Sequence, residues 1–158
     1  MTTTSWTGTN GFRLYPHEDF ASGDSTATLT PVAGGIALAL DYTWVHPEQG
    51  EQSGHLVIGR PDDSGTVTAA WTDTFHQSPE IRTLQGAAAA GLAEDAHPID
   101  GEGVALDMEY MGWGWTIAVR REEGLLAMMM QNVIPEGVEG AEPGAYDVMR
   151  AAWEPVCP

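Results

Sequence analysis

Lysine is absent from this chain, and cysteine nearly so. All six basic residues are arginine (Arg13, Arg60, Arg82, Arg120, Arg121 and Arg150), set against 23 acidic residues for a formal net charge of −17. A field of that sign repels phosphate backbones and anionic membrane surfaces, so neither nucleic acid nor a membrane is an expected partner. Codon bias in a GC-rich genome is the simplest origin of the missing lysine, and a high-salt habitat is the alternative. With Cys157 as the single cysteine, no internal disulfide can form, and oxidising export gains no support. The first residues lack the basic-then-apolar layout of a signal peptide, because 1–6 is Thr-rich and 12–14 is too short an apolar run. The longest apolar runs, 34–40 and 125–130, are far below the roughly 20 residues that cross a bilayer as a helix. A cytoplasmic, unanchored protein is expected.

Chemical signatures are missing as well. The sequence holds no phosphate-binding glycine loop ahead of a helix, no G-x-S-x-G elbow, no HExxH and no Cys–His nucleophile pair. Its five histidines (His17, His46, His55, His76 and His97) form no H-x-H or H-x-x-x-H pair, so no preformed metal site and no cofactor are expected. His46 and His97, each followed by proline, read as loop residues.

What remains is a pattern of strands. At 158 residues and 42% hydrophobic content, the chain fits one soluble domain, 1–158. Turn signals such as Gly34-Gly35, Asp62-Asp63-Ser64-Gly65 and Glu122-Glu123-Gly124 recur at about the 8-to-12-residue spacing of an all-β meander. Between them the sequence predicts about ten strands, near 11–14, 25–32, 35–45, 54–60, 66–75, 81–90, 104–111, 113–121, 125–133 and 146–153. Alternation is clearest in Ile36, Leu38, Leu40, Tyr42 and Trp44. Helix is scarce: 87–93 is bracketed by Gly86 and Gly91, and 17–21 reads at most as a short helical lid. The stretch 135–144, PEGVEGAEPG, is too polar and too rich in Gly and Pro for regular structure, and reads as a flexible loop. A meander of this size hides its edges most simply by closing. The predicted fold is a single antiparallel, mostly up-and-down β-barrel of about 8–10 strands, with room inside for one small ligand. A Greek-key sandwich is the competing architecture.

Several segments carry a resemblance to known barrels. TLTPVAGG is followed by an aliphatic run ending in Asp41-Tyr42, then GHLVIGRPDDSG, AAWTDTFHQSP, GWGWTIAVRR, a Met-rich strand and a closing strand with Trp153. In this order they resemble the bacterial lipocalin-like (calycin) barrels catalogued as domain of unknown function 1579. That resemblance implies a fold but no chemistry. Trp6, Gly8 and Gly11 are similar to the W-x-G-x-x-G opening of the nitrobindin-like haem barrels. Those hold haem through a His on a late strand, whereas no His follows His97 here.

The candidate site lies in 66–78, TVTAAWTDTFHQS. Here Trp71, Asp73 and Phe75 share one strand face, and burying the carboxylate among rings is costly without a partner, for which Arg82 is a candidate. His76 falls on the opposite face unless a bulge or the turn at 77–79 rotates it. Asp73 and His76 are the candidate catalytic pair, and Tyr42, Trp71, Asp73, Phe75, His76, Arg82, Met108, Trp115 and Met128 the candidate ligand-binding set. Met108, Met111 and Met128 to Met130 with Trp113 and Trp115 offer a soft, polarizable wall for an apolar molecule, or simply core filling. Asp107 and Glu109 meet solvent if Met108 and Tyr110 point inward. Of Arg120 and Arg121, one must point inward, paired with a carboxylate such as Asp73 or Glu109.

The expected function is binding of a mostly apolar, neutral or weakly cationic small molecule. Two alternatives stand beside it. One is a cofactor-independent isomerase or cyclase working through the His–Asp pair. The other is a structural or interaction module without ligand, with a homodimer as the protein partner entertained.

Overall fold

A computed structural model describes residues 2–89, 91–93 and 96–156, so Cys157 lies outside the described residues. Ten strands form: β1 (Thr4–Phe12), β2 (Ala21–Val32), β3 (Ala37–His46), β4 (Gly50–Gly59), β5 (Thr66–Asp73), β6 (Arg82–Ala87), β7 (Val104–Tyr110), β8 (Trp113–Glu122), β9 (Leu125–Ile134) and β10 (Gly144–Pro155). Each pairs antiparallel with its neighbours in sequence, and β1 pairs with β10 to close an up-and-down barrel. The predicted fold class is the one observed.

The first strand is longer and earlier than its predicted 11–14. Residues 4–9 are mostly polar, yet Thr suits a pleated strand, and only alternate positions need to face inward. Trp6, Asn10 and Phe12 are the buried ones. At Gly8, between Trp6 and Asn10, a β-carbon would sit 2.0 Å from the Ala152 carbonyl oxygen of β10. Glycine therefore lets the closing strands approach. No helix forms over the described parts of 87–93 or over 17–21. The latter region is a turn in which the Glu18 carboxylate accepts the backbone N–H groups of Leu14 and Tyr15, both at 3.0 Å. Among the described residues no helix is long and apolar enough to cross a membrane. The polar stretch 135–143 connects β9 to β10 outside both strands.

Inward positions alternate as the pleat requires, and they fill the lumen. Trp44, Trp71, Leu40, Leu56, Ile58, Leu84, Leu106, Ile117 and Met130 are each 0% exposed, so they border no space that would admit a water molecule. The space expected inside a barrel of this size is occupied here by three large indoles, Trp44, Trp71 and Trp153, and their aliphatic neighbours.

The two ends differ. One is plugged by the connection between β6 and β7: Ile99 and His97 are buried there, and Asp100 bridges in register to Arg121. Arg121 is the inward member of the Arg120–Arg121 pair, and its partner is Asp100 rather than Asp73 or Glu109, with Nε donating to Oδ1 at 2.7 Å. Arg120 lies outside, near Glu122. Beside this plug β6 and β7 share only two ladder positions among the described residues, Gln85 with Asp107 and Gly86 with Leu106. The other end, where β5 finishes, carries the polar cluster.

Candidate functional site

Asp73 is the last residue of β5 and keeps the inward parity of Val67, Ala69 and Trp71. Its carboxylate is 2% exposed and fully engaged. Oδ2 accepts from Tyr42 Oη at 3.0 Å and from Trp44 Nε1 at 3.1 Å. Oδ1 accepts from the backbone N–H groups of Phe75 (2.8 Å) and His76 (2.9 Å) and from His76 Nδ1 at 3.1 Å. Trp71 Nε1 in turn donates to Tyr42 Oη at 2.8 Å. Burial pushes the Asp73 carboxyl up, but hydrogen bonds and charge from His76, with the Phe75 N–H, outweigh it and hold it below the usual carboxylate range. Burial first, and then the Asp73 charge, pushes the Tyr42 phenol well above its ordinary value. An ionised carboxylate only accepts, so Tyr42 O–H and His76 Nδ1–H are both donors to it. In the neutral ring the lone pair is then on His76 Nε2.

Local sequence explains the geometry. Strand pairing stops at Asp73, and residues 74–76 turn, with the Gln77 N–H reaching back to the Asp73 carbonyl at 3.4 Å. The turn removes the opposite-face problem that strand parity raises: His76 folds back over the barrel end, stacked on Trp44 at 5.2 Å and beside Trp115 at 5.1 Å. Room for the Tyr42 ring comes from Gly54, its partner across the β3–β4 ladder, where a β-carbon would lie 2.1 Å from the phenol carbon and oxygen. Because Tyr42 is locked on both sides, Gly54→Ala is expected to cost about 2 kcal/mol by overpacking, measured as a lower urea midpoint. A change under about 0.5 kcal/mol would mean that the ring moves freely.

The candidate residues separate into three groups. Tyr42, Trp71, Asp73, Phe75, His76 and Trp115 form one aromatic and polar assembly at this end. Arg82 stands at its rim but does not touch Asp73. It donates through Nε to Gln77 Oε1 at 3.0 Å and pairs with Glu80, since the carboxylate it was expected to neutralise is already saturated. Met108 is half-buried against the core, and Met128 is buried in the packed lumen. Asp107 and Glu109 do face outward, Asp107 accepting from Thr116 Oγ1 at 2.6 Å.

Trp44 and Tyr110 belong to this end without having been assigned to the site by sequence, and Met111, read there as part of a soft wall or core filling, lines its cleft. Trp44 shares the alternating face of Tyr42, which was the available signal. His46 is not a loop residue: it ends β3, is buried, and its Nδ1 accepts the N–H groups of Glu48 and Gln49. His97 does lie in a loop, but buried. His55 forms an exterior pair with Asp41 at 2.7 Å. Among the described residues no three His, Cys, Asp or Glu side chains come together as metal ligands.

A cleft of about 260 Å³ opens beside the assembly, lined by His76, Arg82, Tyr110, Met111 and Trp115 among others. Two ring nitrogens of residues that line it, His76 Nε2 and Trp115 Nε1, are buried beneath its surface with no partner among the described residues. One is a lone-pair acceptor in the neutral ring and the other an obligate donor. No protein-family model matches the chain, and no curated protein matches its sequence.

Proposed function

We propose that the protein binds a small, mostly apolar molecule through a hydroxyl group seated between His76 and Trp115 at the barrel mouth. The pair of buried, unpartnered ring nitrogens carries this reading. Leaving such a group unpaired costs about 1–3 kcal/mol, which a ligand recovers on binding. A hydroxyl complements the pair: its O–H donates to His76 Nε2, and its oxygen accepts the Trp115 indole N–H. The charge of −17 disfavours anions at the surface, so a neutral or weakly cationic ligand fits best. The lipocalin-like resemblance agrees with a ligand-holding barrel, with the seat moved from the lumen to the mouth.

Phenol and its methyl ether, anisole, make the test, because they differ mainly in the O–H. Phenol is expected to raise the melting temperature and to bind at least about tenfold tighter than anisole, the worth of one hydrogen bond to a buried partner. His76→Phe should erase that difference. Equal binding of the two compounds would sink the proposal.

The Asp73–His76 hydrogen bond favours a second reading. A carboxylate that fixes Nδ1–H and leaves Nε2 basic is also the arrangement of a general base, one able to draw the proton from a bound hydroxyl or an adjacent carbon. A cofactor-independent isomerase or cyclase would use it so. In that case His76→Gln abolishes turnover while ligand still binds, whereas in a pure binding protein no turnover is found in either form.

A further inference from the structure

We infer that the molecule seated at His76 is an amphiphile whose apolar chain runs across the β7–β8 hairpin tip into a second, larger groove; this rests on the hydroxyl reading above. The groove measures about 910 Å³, within the range of small-molecule sites, and lies at the same barrel end. Tyr15, Tyr110, Met111, Trp113, Ile134 and Tyr146 line it, and Tyr110 and Met111 also line the His76 cleft, so the two spaces share a wall.

Their polar character is opposite. In the groove the polar atoms satisfy one another: Tyr110 Oη donates to Asn132 Oδ1 (2.9 Å), Asn132 Nδ2 donates to Tyr146 Oη (3.1 Å), and Tyr146 Oη donates to the Leu14 carbonyl (3.0 Å). Those three side chains thus leave the aromatic and aliphatic faces of the groove to a ligand, with His17 and Glu142 also among its lining residues, while the unpartnered nitrogens belong to His76 and Trp115 of the neighbouring cleft. A molecule with one polar end and an apolar remainder matches that division.

The hairpin tip points the same way. Met111 and Gly112 form its two-residue turn with φ of +50° and +81°, a geometry that ordinarily selects Asn-Gly. A methionine is disfavoured in that conformation, yet it is 96% exposed and packs in no core. Leu14 and Tyr15, which also line the groove, are exposed as well. Large apolar side chains exposed along one groove supply the surface that an apolar chain would cover on binding.

Titrating the full chain with 1-butanol, 1-hexanol and 1-octanol tests the inference. In the wild type the Kd is expected to fall about fourfold per added methylene, the transfer value of one buried CH₂. Tyr15→Asp and Ala145→Glu, at residues that line the groove and not the His76 cleft, should both reduce that step below about twofold per methylene, leaving 1-butanol within about twofold of wild type. His76→Phe should weaken all three alcohols by a similar factor and keep the chain-length dependence. A series that is flat in the wild type, or a slope indifferent to both groove variants, overturns the tail and leaves the hydroxyl seat standing. Alcohol affinities unchanged by His76→Phe overturn the seat, and the amphiphile with it. Loss of self-association in Tyr15→Asp with no change in the alcohol series assigns the groove to a second copy of the chain and overturns the inference.

Discussion

Asp73→Ala is expected to lower the unfolding free energy by about 4 kcal/mol, the scale of removing one member of a buried ionic network. The loss is larger than that of one hydrogen bond because the carboxylate collects five donors: Tyr42 Oη, Trp44 Nε1, His76 Nδ1 and two backbone N–H groups. Alanine strands them all. Asp73→Asn should fall between, since its amide keeps one acceptor and turns the other position into a donor facing donors. The urea midpoint should drop with little change in slope, as the unfolded chain is nearly the same. The pH dependence has a fixed sign. A carboxyl held below its ordinary value stabilises the fold above that value and loses the contribution as pH falls through the lowered one. The gap between wild type and Asp73→Ala is thus full at neutral pH and narrows only at strongly acid pH. A deficit under about 1 kcal/mol at pH 7 would show that the donors find other partners.

The second large effect is at the plugged end. His97 is 1% exposed, its Nε2–H donates to the Ile58 carbonyl at 3.2 Å, and its Nδ1 is buried without a partner. Burial lowers its pKa to about 4, against the opposing pull of the Ile58 carbonyl and of Asp100. The unfolded chain therefore takes up a proton near pH 6.5 that the folded chain refuses until about pH 4. Stability from this group is complete above pH 6.5 and declines across that window as pH falls. At about 1.4 kcal/mol per pH unit, the loss reaches about 2 kcal/mol by pH 5. His97→Gln keeps a donor for Ile58 and does not titrate, so its stability should fall correspondingly less between pH 6.5 and 5. Parallel wild-type and variant curves over that range would refute the assignment.

How far these features were legible in the sequence depended on their range. Ile36, Leu38, Leu40, Tyr42 and Trp44 announced an inward face because alternation is a local property, and the last four are buried, whereas Ile36 precedes β3 and is exposed. Residues 4–9 hid a strand because their inward positions include a glycine and their outward ones are threonine and serine. Trp71 and Asp73 could be placed on one face by counting. The donors that saturate Asp73 could not, because Tyr42 and Trp44 arrive from β3, across β4, and His76 arrives through a turn whose direction strand parity does not encode. That is also why Arg82, near in sequence and opposite in charge, was an attractive but mistaken partner. His97, followed by proline, read as a loop residue and is one, and only the barrel end it plugs makes it a buried one.

The two-rung pairing of β6 with β7 has a consequence for motion. Seven residue pairs join β1 to β10, so the seam that closes the ring is not its weak point. The weak point is internal, where among the described residues only Gln85 and Gly86 face Asp107 and Leu106. Amide protons there have the fewest cross-strand acceptors to break before they meet solvent, and they should exchange with deuterium earlier than those of β2, β3 and β9. Breathing of the ring is expected along that one line, which leads from the His97 plug towards Tyr110 at the mouth.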